Sequence, residues 1–437
     1  MFRLFDLSLS LNGFPIQKAK RDLSKIVNLA ANEHQVFFLN QRNKIVNFHL
    51  KKNLFYQSFV NQNWNRVWEN LPVLTKKDLQ IPLKNRLSLG FDPRAVYVNK
   101  TSGSSGDPFV FAKDKYCHAL TWASNFYRFG WYNIDFNRSY QARFYGIPLD
   151  FFGFWKERFK DFLAHRYRFS VFDLSDAKLE GFLEKFYTKK FDYINGYTSS
   201  IVLFAKFLKQ KNIILKNICP SLKVCMVTSE MLFDDDKILL KTQFGIPIVN
   251  EYGASELDLI AFQNTSSDWQ VNAETLFVEI LDDDDRVLPY GECGRIVITS
   301  LFNTAHPFIR YDIGDIGILD IRSTLQKPIL QRLDGRTNDI AMLPSGKKSA
   351  GLTFYYITKS IIEDDGNVKE FVIKQTKLDR FEIDYVAKKA LTASKIIEIE
   401  KAITLYLEPG LSFAFNQKSM LERSKRGKLK QFISELH

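Results

Sequence analysis

The chain has 437 residues, of which 45% are hydrophobic, and this length predicts two or three structural units with large buried cores. The formal net charge is +12, but Lys and Arg are spread along the chain and no nucleic-acid-binding motif occurs, which argues against nucleic acid as a partner. No apolar run reaches the roughly 18 residues of a membrane span, and the four cysteines form no CxxC pair. We therefore expect a soluble, cytoplasmic protein with free thiols and no structural zinc.

The first 95 residues have the pattern of helices. Between residues 15 and 70, apolar side chains such as Ile26, Leu29 and Leu50 recur at helical spacing among basic and amide residues. Thr75 and Asp78 have the spacing of a capping box, which predicts the start of another helix. We expect residues 1–95 to form a helical brace for the loop that follows them.

A loop without bulky side chains occupies positions 101–108, which read TSGSSGDP. Glycines let the backbone bend tightly, so that several N–H groups and hydroxyls can point at one anion, as the phosphates of a nucleotide require. Short strands predicted at residues 97–100 and 109–111 would hold the loop at both ends. A flexible Gly/Ser linker is the alternative. The chain contains no GxxxxGK[ST] and no GxGxxG after a predicted strand, so it lacks the defining residues of P-loop, Rossmann and kinase sites.

A long amphipathic helix is predicted for residues 113–129, before Gly130 ends it. The segment after this helix is unusually rich in aromatic residues. Three interpretations are open for it: core packing, which is the commonest fate of such side chains, a pocket for an acyl substrate, or a patch that contacts a membrane surface. The aromatic residues concerned are Phe144, Tyr145, Phe151, Phe152, Phe154, Trp155, Tyr167 and Phe169.

Strands and helices alternate from residue 191 onwards. The predicted elements are strands at 191–197, 222–227 and 247–250, and helices at about 199–209 and 234–244. Such alternation is typical of a parallel sheet covered by helices, whose ligands bind at the carboxyl ends of the strands. The segments TSE, at 228–230, and EYGASE, at 251–256, both stand at such ends.

The last part of the chain carries further polar motifs. Four carboxylates at 282–285 lie between predicted strands, and a solvated hairpin tip is favoured there over a metal site. RYDIGD, at 310–315, is predicted as a tight turn between apolar strands, and DGRTND follows at 334–339. The composition then changes, which predicts a domain boundary near residue 340. Beyond it we expect a small α+β domain, with strands at 371–374 and 381–386, a helix at 393–407 and a basic end at 424–430.

Taken in order, these motifs resemble those of the adenylate-forming superfamily, which includes acyl-CoA synthetases, peptide-synthetase adenylation domains and luciferases. The matching motifs are TSGSSGDP, TSE, YGASE, RYDIGD, GRTND and a near-terminal Gly-Lys. RYDIGD and LPVLTKKDL, at 71–79, look most like the phenylacetate-CoA ligase branch and its CapK-like members, which are associated with capsular polysaccharide genes. The resemblance implies an α/β fold with a large N-terminal adenylation domain, residues 1–340, of mixed or parallel sheets covered by helices. A small mobile C-terminal α+β lid, residues 341–437, would complete it.

The resemblance also implies binding residues for ATP. The loop would hold the β- and γ-phosphates through Thr101, Ser102, Gly103, Ser104, Ser105 and Gly106. Tyr252 would stack on adenine, which would be bordered by Ser229, Glu230 and Asn250, and Gly253 would also belong to the nucleotide-binding site. Asp315 would accept hydrogen bonds from both ribose hydroxyls, because a carboxylate offers two acceptor oxygens. Taken one by one, these residues read as ordinary strand-end and turn residues.

Three residues are implied in catalysis. Glu256 would ligate Mg²⁺ at the phosphates, since this hard cation prefers carboxylate and phosphate oxygens. Arg336 would approach the ribose or a phosphate with its planar guanidinium. Lys428 would reach the carboxylate and the α-phosphate during adenylation, and its neighbours Lys425 and Lys430 are alternatives for this role. Outside the resemblance, Glu256 and Lys428 read as solvated surface charges.

The implied reaction activates a carboxylic acid with ATP as its acyl-adenylate, releases pyrophosphate, and passes the acyl group to CoA or another acceptor. We expect a place in capsule or surface polysaccharide biosynthesis, with peripheral contact to membrane-bound polysaccharide machinery. Two alternatives stay open. One is acyl or aminoacyl transfer to a sugar amine or hydroxyl without CoA, and the other is a non-catalytic nucleotide-binding scaffold.

Overall fold

The computed structural model describes residues 4–60, 64–100, 109–146, 151–336, 340–346, 348–350, 367–423 and 429–436. The predicted phosphate loop, residues 101–106, and Lys428 lie outside these stretches. Of Arg336, only the backbone is described.

Helices form the N-terminal part of the chain, as the spacing of its apolar residues predicts. They are α1 (Leu4–Leu11), α2 (Ile16–Val27), α3 (Ala31–Lys52), α4 (Leu54–Phe59) and, after the loop, α5 (Lys115–Gly130). Helix α2 buries one stripe of side chains, and its Ala19 and Leu23 pack against Leu120 and Ala123 of α5. Small residues at this contact let the two helices approach closely, so α2 braces the helix that follows the predicted phosphate loop.

The capping box at Thr75 is present, but the helix predicted to follow it is not. The backbone N–H of Thr75 donates to Asp78 Oδ2 at 2.8 Å, and residues 76–79 form a single turn. Pro82 explains the difference, because it has no N–H to continue a helix and restricts the residue before it. Two short 3₁₀ turns, Trp68–Asn70 and Leu83–Asn85, flank this segment.

The two strands that flank the predicted phosphate loop pair with each other as one hairpin. Strand β1 (Tyr97–Lys100) pairs antiparallel with β2 (Val110–Lys113), and Lys100 is opposite Val110. Phe109 and Phe111 are fully buried in a core that also contains Tyr252 and Tyr311. The two strand predictions are confirmed, and residues 101–108 therefore begin and end at neighbouring positions of one hairpin.

A seven-stranded sheet forms the centre of the chain. Its strands are β3 (Gln141–Phe144), β4 (Arg166–Phe169), β5 (Tyr193–Tyr197), β6 (Val224–Thr228), β7 (Ile248–Ala254), β8 (Asp258–Gln263) and β9 (Trp269–Val271), in the order β4-β3-β5-β6-β7-β8-β9. The strands from β4 to β7 are parallel, whereas β8 and β9 continue the sheet antiparallel. The predicted parallel sheet is thus confirmed, and it gains an antiparallel edge.

Helices cover this sheet, as its apolar strands predict. They are α6 (Phe151–Leu163), α7 (Asp176–Thr188), α8 (Thr198–Gln210), α9 (Leu215–Ile218) and α10 (Asp234–Phe244). Alternate residues of the strands, such as Phe144, Ile194 and Val227, pack with Phe204 of α8 and Leu240 of α10. This core fixes the parallel strands, and so fixes where their carboxyl ends lie.

The aromatic segment contains both buried and exposed side chains. Phe144 and Phe169 are buried in the core, with ring centroids 4.9 Å apart, as core packing predicts. Tyr145 follows β3, and its ring centroid lies 4.1 Å from the Arg143 guanidinium. On α6, by contrast, Trp155 is 58% exposed and Phe162 is 79% exposed, so this helix presents aromatic side chains to solvent.

A second sheet carries the RYDIGD motif. Its antiparallel strands are β10 (Leu276–Leu281), β11 (Cys293–Ser300), β12 (Tyr311–Leu319) and β13 (Leu330–Arg336), in that order. The motif is not the predicted tight turn, because β12 runs through it. Gly314 lies in the strand with φ +80°, and register shifts in the ladder accommodate this irregular backbone. The acidic segment 282–285 is an exposed turn, as predicted, in which Asp282 Oδ1 accepts from the N–H groups of Asp284 and Arg286.

The C-terminal part has a sheet of its own. A small hairpin joins β14 (Ile340–Met342) to β15 (Lys348–Ala350), and four further strands are β16 (Val368–Lys377), β17 (Arg380–Ala387), β18 (Ser412–Gln417) and β19 (Phe432–Ser434). Helix α11 (Ala393–Tyr406) packs on this sheet through Ile399 and Ile403, and Phe233 from the central part joins the same core. The predicted strands and helix are confirmed. Among the described residues, no helix is long and apolar enough to cross a membrane.

Candidate functional site

The ends of two neighbouring parallel strands bring TSE and EYGASE together. Thr228, the last residue of β6, is paired in register with Glu251 of β7. Ser229 then adopts φ +70°, which is rare for a residue with a side chain and turns the chain sharply away from the sheet. Asn250, Tyr252 and Gly253 lie in β7 beside this turn. The residues predicted to border adenine therefore share one edge of the sheet.

Tyr252 and Asp315 are directly bonded, although they are 63 residues apart. The tyrosine hydroxyl donates to Asp315 Oδ2 at 2.6 Å, and both residues are buried. The bond joins β7 of the central sheet to β12 of the second sheet. It also restrains the Tyr252 ring, which meets Trp269 edge-on at 6.0 Å between centroids. The residues predicted for adenine and for ribose thus lie together.

Glu256 lies close to the same junction. It is only 6% exposed, and Oε1 of its carboxylate accepts a hydrogen bond from the Tyr311 hydroxyl at 3.1 Å. Tyr311 begins β12, the strand that also carries Asp315. Among the described residues, no group of three His, Cys, Asp or Glu side chains forms a metal site. A single carboxylate still suits Mg²⁺, which is commonly held by one or two carboxylates together with substrate phosphates.

A buried lysine, which the motifs did not indicate, lies near Glu256. Lys113 ends β2 and forms an ion pair with Asp258, whose Oδ2 also accepts from Thr121 Oγ1 at 2.9 Å. Burial lowers the pKa of Lys113 to about 8. Lys113, Asp258 and Glu256 line an enclosed cavity of about 20 Å³. In the sequence, Lys113 directly follows the apolar run FVFA, which could have indicated a lysine at the end of a buried strand. Its partner Asp258 is 145 residues away, so the sequence does not reveal the ion pair.

Glu230 connects the central sheet to the C-terminal end of the chain. Its Oε2 accepts from the backbone N–H of Ser199 at 2.7 Å, in the first turn of α8, and its Oε1 accepts from the N–H of Leu429 at 2.8 Å. Burial raises the pKa of Glu230, while the two N–H groups act in the opposite direction. Leu429 directly follows Lys428 in the chain. The contact with Glu230 therefore holds Leu429, the residue after Lys428, beside a residue predicted to border adenine.

An arginine supports this docked arrangement. Arg423 Nη2 pairs with Glu370 Oε2 at 2.5 Å, and its Nη1 donates to Ser199 Oγ at 3.3 Å. Leu429 itself packs with Val372 and Leu421. The C-terminal segment is thus held on both sides of residues 424–428. Arg336 approaches the site from β13, where its backbone is paired with Asp315.

No protein-family model matches the chain. A curated relative, Protein CapK of Staphylococcus aureus, is 25% identical over 193 residues. The match covers 42% of this chain and 41% of CapK, so it spans about two fifths of that relative's length.

Solved structures of ligases are similar over much more of the chain. 2-Hydroxyisobutyryl-CoA ligase in the postadenylation state with 2-HIB-AMP is 16% identical, with a TM-score of 0.70 over 93% of this chain and 91% of that chain. The anthranilate CoA ligase AuaEII with anthranoyl-AMP is 14% identical, with a TM-score of 0.55 over 76% of this chain. ATP-bound MatB from Rhodopseudomonas palustris is also 14% identical, with a TM-score of 0.53 over 75%. This chain covers 65% of each of the last two.

The two states of the hydroxyisobutyryl ligase differ in their similarity to this chain. Over the same 93% of the chain, the TM-score is 0.70 for the postadenylation state and 0.56 for the thioesterification state. These similarities confirm, at the level of the fold, the resemblance that the motifs predict: the chain has the fold of the adenylate-forming CoA ligases.

Proposed function

We propose that the protein is an ATP-dependent ligase that activates a carboxylic acid as its acyl-adenylate and transfers the acyl group to CoA or another acceptor. The observation that supports this most is the convergence of three motifs at one place. Tyr252 is bonded to Asp315, Tyr311 is bonded to Glu256, and Leu429, next to Lys428, is bonded to Glu230. These bonds link described residues that we expect to bind the base, the ribose and the metal, and they support the proposal for that reason.

In the first step, an oxygen of the substrate carboxylate forms a bond to the α-phosphorus of ATP. The bond from this phosphorus to the bridging oxygen breaks, and pyrophosphate leaves with the electron pair. The loop at 101–106 would hold the leaving phosphates, and Tyr252 and Asp315 would fix the nucleoside. Mg²⁺, held by Glu256 and phosphate oxygens, would supply positive charge against the leaving group. Positioning and charge account for most catalysis in reactions at phosphorus.

Lys428 would add positive charge between the attacking carboxylate and the α-phosphate. The Glu230 carboxylate accepts a hydrogen bond from the N–H of Leu429, the residue that follows Lys428 in the chain. Acyl transfer follows when a nucleophile attacks the carbonyl carbon and AMP leaves. A boundary near residue 340 would let the C-terminal part turn between the two steps. A scaffold that only binds a nucleotide needs no such docking of a lysine-bearing segment.

The narrower assignment is also a proposal. The partial match to CapK supports the CapK-like branch and a place in capsule or surface polysaccharide biosynthesis. CoA as the acceptor draws support from neighbours that are CoA ligases, whereas a sugar amine or hydroxyl stays an alternative acceptor. Contact with membrane-bound polysaccharide machinery stays a prediction.

The proposed function is tested by pyrophosphate release with ATP, Mg²⁺ and single carboxylic acids, with hydroxylamine present to trap the adenylate as a hydroxamate. We expect release to depend on an acid, and Lys428→Ala to lower its rate at least about a hundredfold, because a charge that stabilises the transition state is lost. Lys425→Ala is the matched control, since it removes a charge from the same basic segment, and it should keep the rate within about twofold. Equal losses in the two variants would contradict the role of Lys428.

A further inference from the structure

The two faces of the parallel sheet differ in character along the strands. One face carries Phe144, Ile194 and Val227 and is apolar throughout, because it packs on the covering helices. The opposite face begins equally apolar, with Val224, Met226 and Val249 packed against Phe129 and Phe262. Towards the carboxyl ends of the strands, this second face becomes polar. Ligands of parallel sheets bind at the carboxyl ends of the strands, which is where these polar groups stand.

The polar residues of this face follow from the register of the strands. Arg143 of β3 is opposite Asn195 of β5, and two residues further on Thr228 of β6 is opposite Glu251 of β7. Side chains at paired positions of parallel strands, and at positions two apart, point to the same side. Arg143, Asn195, Thr228 and Glu251 therefore share one face, and we call Arg143, Thr228 and Glu251 the polar cluster.

Each charged residue of the polar cluster contacts an uncharged neighbour. The Thr228 hydroxyl donates to Glu251 Oε1 at 3.0 Å. The Arg143 guanidinium lies 4.1 Å from the centroid of the Tyr145 ring, and its buried Nε has no hydrogen-bond partner among the described residues. Burial raises the pKa of Glu251 to about 7, against the opposing effects of Thr228 and the Arg143 charge. Both charged residues keep partial solvent access at this end of the sheet.

The position of the polar cluster relative to the nucleotide residues is fixed by the chain itself. Thr228 immediately precedes Ser229, and Glu251 lies between Asn250 and Tyr252. The acyl part of an adenylate extends from the α-phosphate, and so it must lie beside the residues that hold the nucleotide. Enclosing charged groups against an apolar substrate is costly, because they lose water and gain no partner. A substrate with polar groups of its own removes this cost.

We propose that the polar cluster binds the acyl part of the substrate, and that the substrate is a polar carboxylic acid whose chain carries a hydrogen-bond donor for Glu251. This inference rests on the proposed adenylation. A hydroxyl and an ammonium group are both donors, and either meets the requirement. Arg143 offers its unpartnered Nε to an acceptor atom of the same substrate, such as a hydroxyl oxygen or a second carboxylate. An aryl or fatty acid offers no donor to Glu251 and no acceptor to the Arg143 Nε, so the polar cluster selects against it.

The test measures kcat/KM for hydroxamate formation with matched acids. Each set contains a hydroxy acid, the corresponding amino acid and the methyl compound of the same shape, with the substituent at carbon 2, 3 or 4, and benzoate and octanoate complete the panel. We expect one polar acid to exceed its methyl counterpart at least about a hundredfold, since a site built for a substrate OH or NH rejects analogues that lack it. Glu251→Leu should reduce this ratio to about one or reverse it. Loss of stability alone would lower both rates and keep their ratio.

One further variant distinguishes a hydroxyl from an ammonium group as the hydrogen-bond donor of the substrate, and a second tests the role of Arg143. Glu251→Gln keeps an acceptor oxygen but loses the charge, so activation of a hydroxy acid should fall only severalfold, whereas activation of an amino acid should fall at least about a hundredfold. Arg143→Met, an apolar chain of similar length, should raise the relative rate of the methyl compounds. Lys211→Met is the control, because this lysine follows α8 and forms a solvent-exposed ion pair with Glu180 of α7.

The outcomes distinguish this inference from the proposed function. Acid-dependent pyrophosphate release that is fastest with apolar acids, or a polar-to-methyl ratio that Glu251→Leu leaves unchanged, overturns the inference and leaves adenylation standing. The absence of acid-dependent release with every acid overturns the proposed function and this inference with it. A ratio that collapses only in the variants of the polar cluster supports both.

Discussion

Removal of the Glu230 carboxylate is expected to release the C-terminal segment from the nucleotide site. This side chain accepts one hydrogen bond from Ser199 N–H and one from Leu429 N–H, at 2.7 and 2.8 Å. The first bond belongs to the start of α8, and the second crosses to the segment next to Lys428. Glu230→Ala removes both, and Glu230→Gln leaves a neutral acceptor for one of them.

The size of the effect follows from the bond to Leu429. A hydrogen bond to a charged group contributes about 1.5 to 3 kcal/mol, and the buried position of Glu230 favours the middle of that range. A loss of about 2 kcal/mol lowers the equilibrium constant for docking about 30-fold, and the rate falls by the same factor when the docked arrangement is the minor state in solution. Glu230→Gln should lie between Glu230→Ala and the wild type.

Single-turnover formation of the trapped adenylate measures this loss. We expect Glu230→Ala to lower the rate of adenylation about 30-fold, while the affinity for ATP, measured by calorimetry, changes less than about threefold. Asp173→Asn is the matched control, because this carboxylate also accepts from a backbone N–H, that of Ser175 at 2.9 Å, but in an exposed turn and with no bond to Leu429. It should leave both quantities unchanged.

Two results would refute the docking role. If Glu230→Ala weakens ATP binding about 30-fold and leaves the rate at saturating ATP intact, Glu230 acts on the base, as the motif resemblance implies. If both quantities stay at the wild-type values, the contact with Leu429 contributes nothing to adenylation. Circular dichroism and a thermal melt on the variant separate these results from a general loss of structure at the start of α8.

Two other changes test the site directly. Tyr252→Phe removes the bond to Asp315, so KM for ATP should rise about tenfold while kcat stays within about threefold, as steady-state kinetics would show. The raised pKa of Glu251 means that the folded protein binds more protons than the unfolded chain between pH 4.5 and about 7. As the pH rises from 4.5 to about 7, the contribution of Glu251 to the free energy of unfolding should therefore fall by up to about 3 kcal/mol. Urea titrations of Glu251→Gln should lack this pH dependence.

Local patterns in the sequence predict most of the elements that carry the site. Alternation of apolar strands and helices predicts the parallel sheet, and strand ends follow from where the apolar runs stop. Thr228 and Glu251 are therefore expected at one edge of the sheet from these patterns alone. Helical spacing likewise predicts the N-terminal helices, of which α2 is an example.

Contacts between distant parts of the chain are what the sequence does not reveal. Tyr311 and Glu256 are 55 residues apart, and Glu230 and Leu429 are 199 apart, so that no spacing rule connects them. The direction of a side chain depends on register as well. Arg143 belongs to the polar cluster only because β3 lies beside β5, an order set by the crossovers of the sheet. The turn predicted at RYDIGD is wrong for a related reason, since a strand with neighbours on both sides can absorb an irregular glycine.

The central claim is that a carboxylate oxygen of the substrate becomes bonded to the α-phosphorus of ATP. The most direct measurement supplies an acid labelled with ¹⁸O in its carboxylate, allows turnover with the acyl acceptor or hydroxylamine, and weighs the nucleotide product by mass spectrometry. We expect AMP that carries one ¹⁸O atom, formed in equal amount to pyrophosphate. Unlabelled AMP, or label in phosphate together with ADP, would contradict an acyl-adenylate and with it the proposed activity.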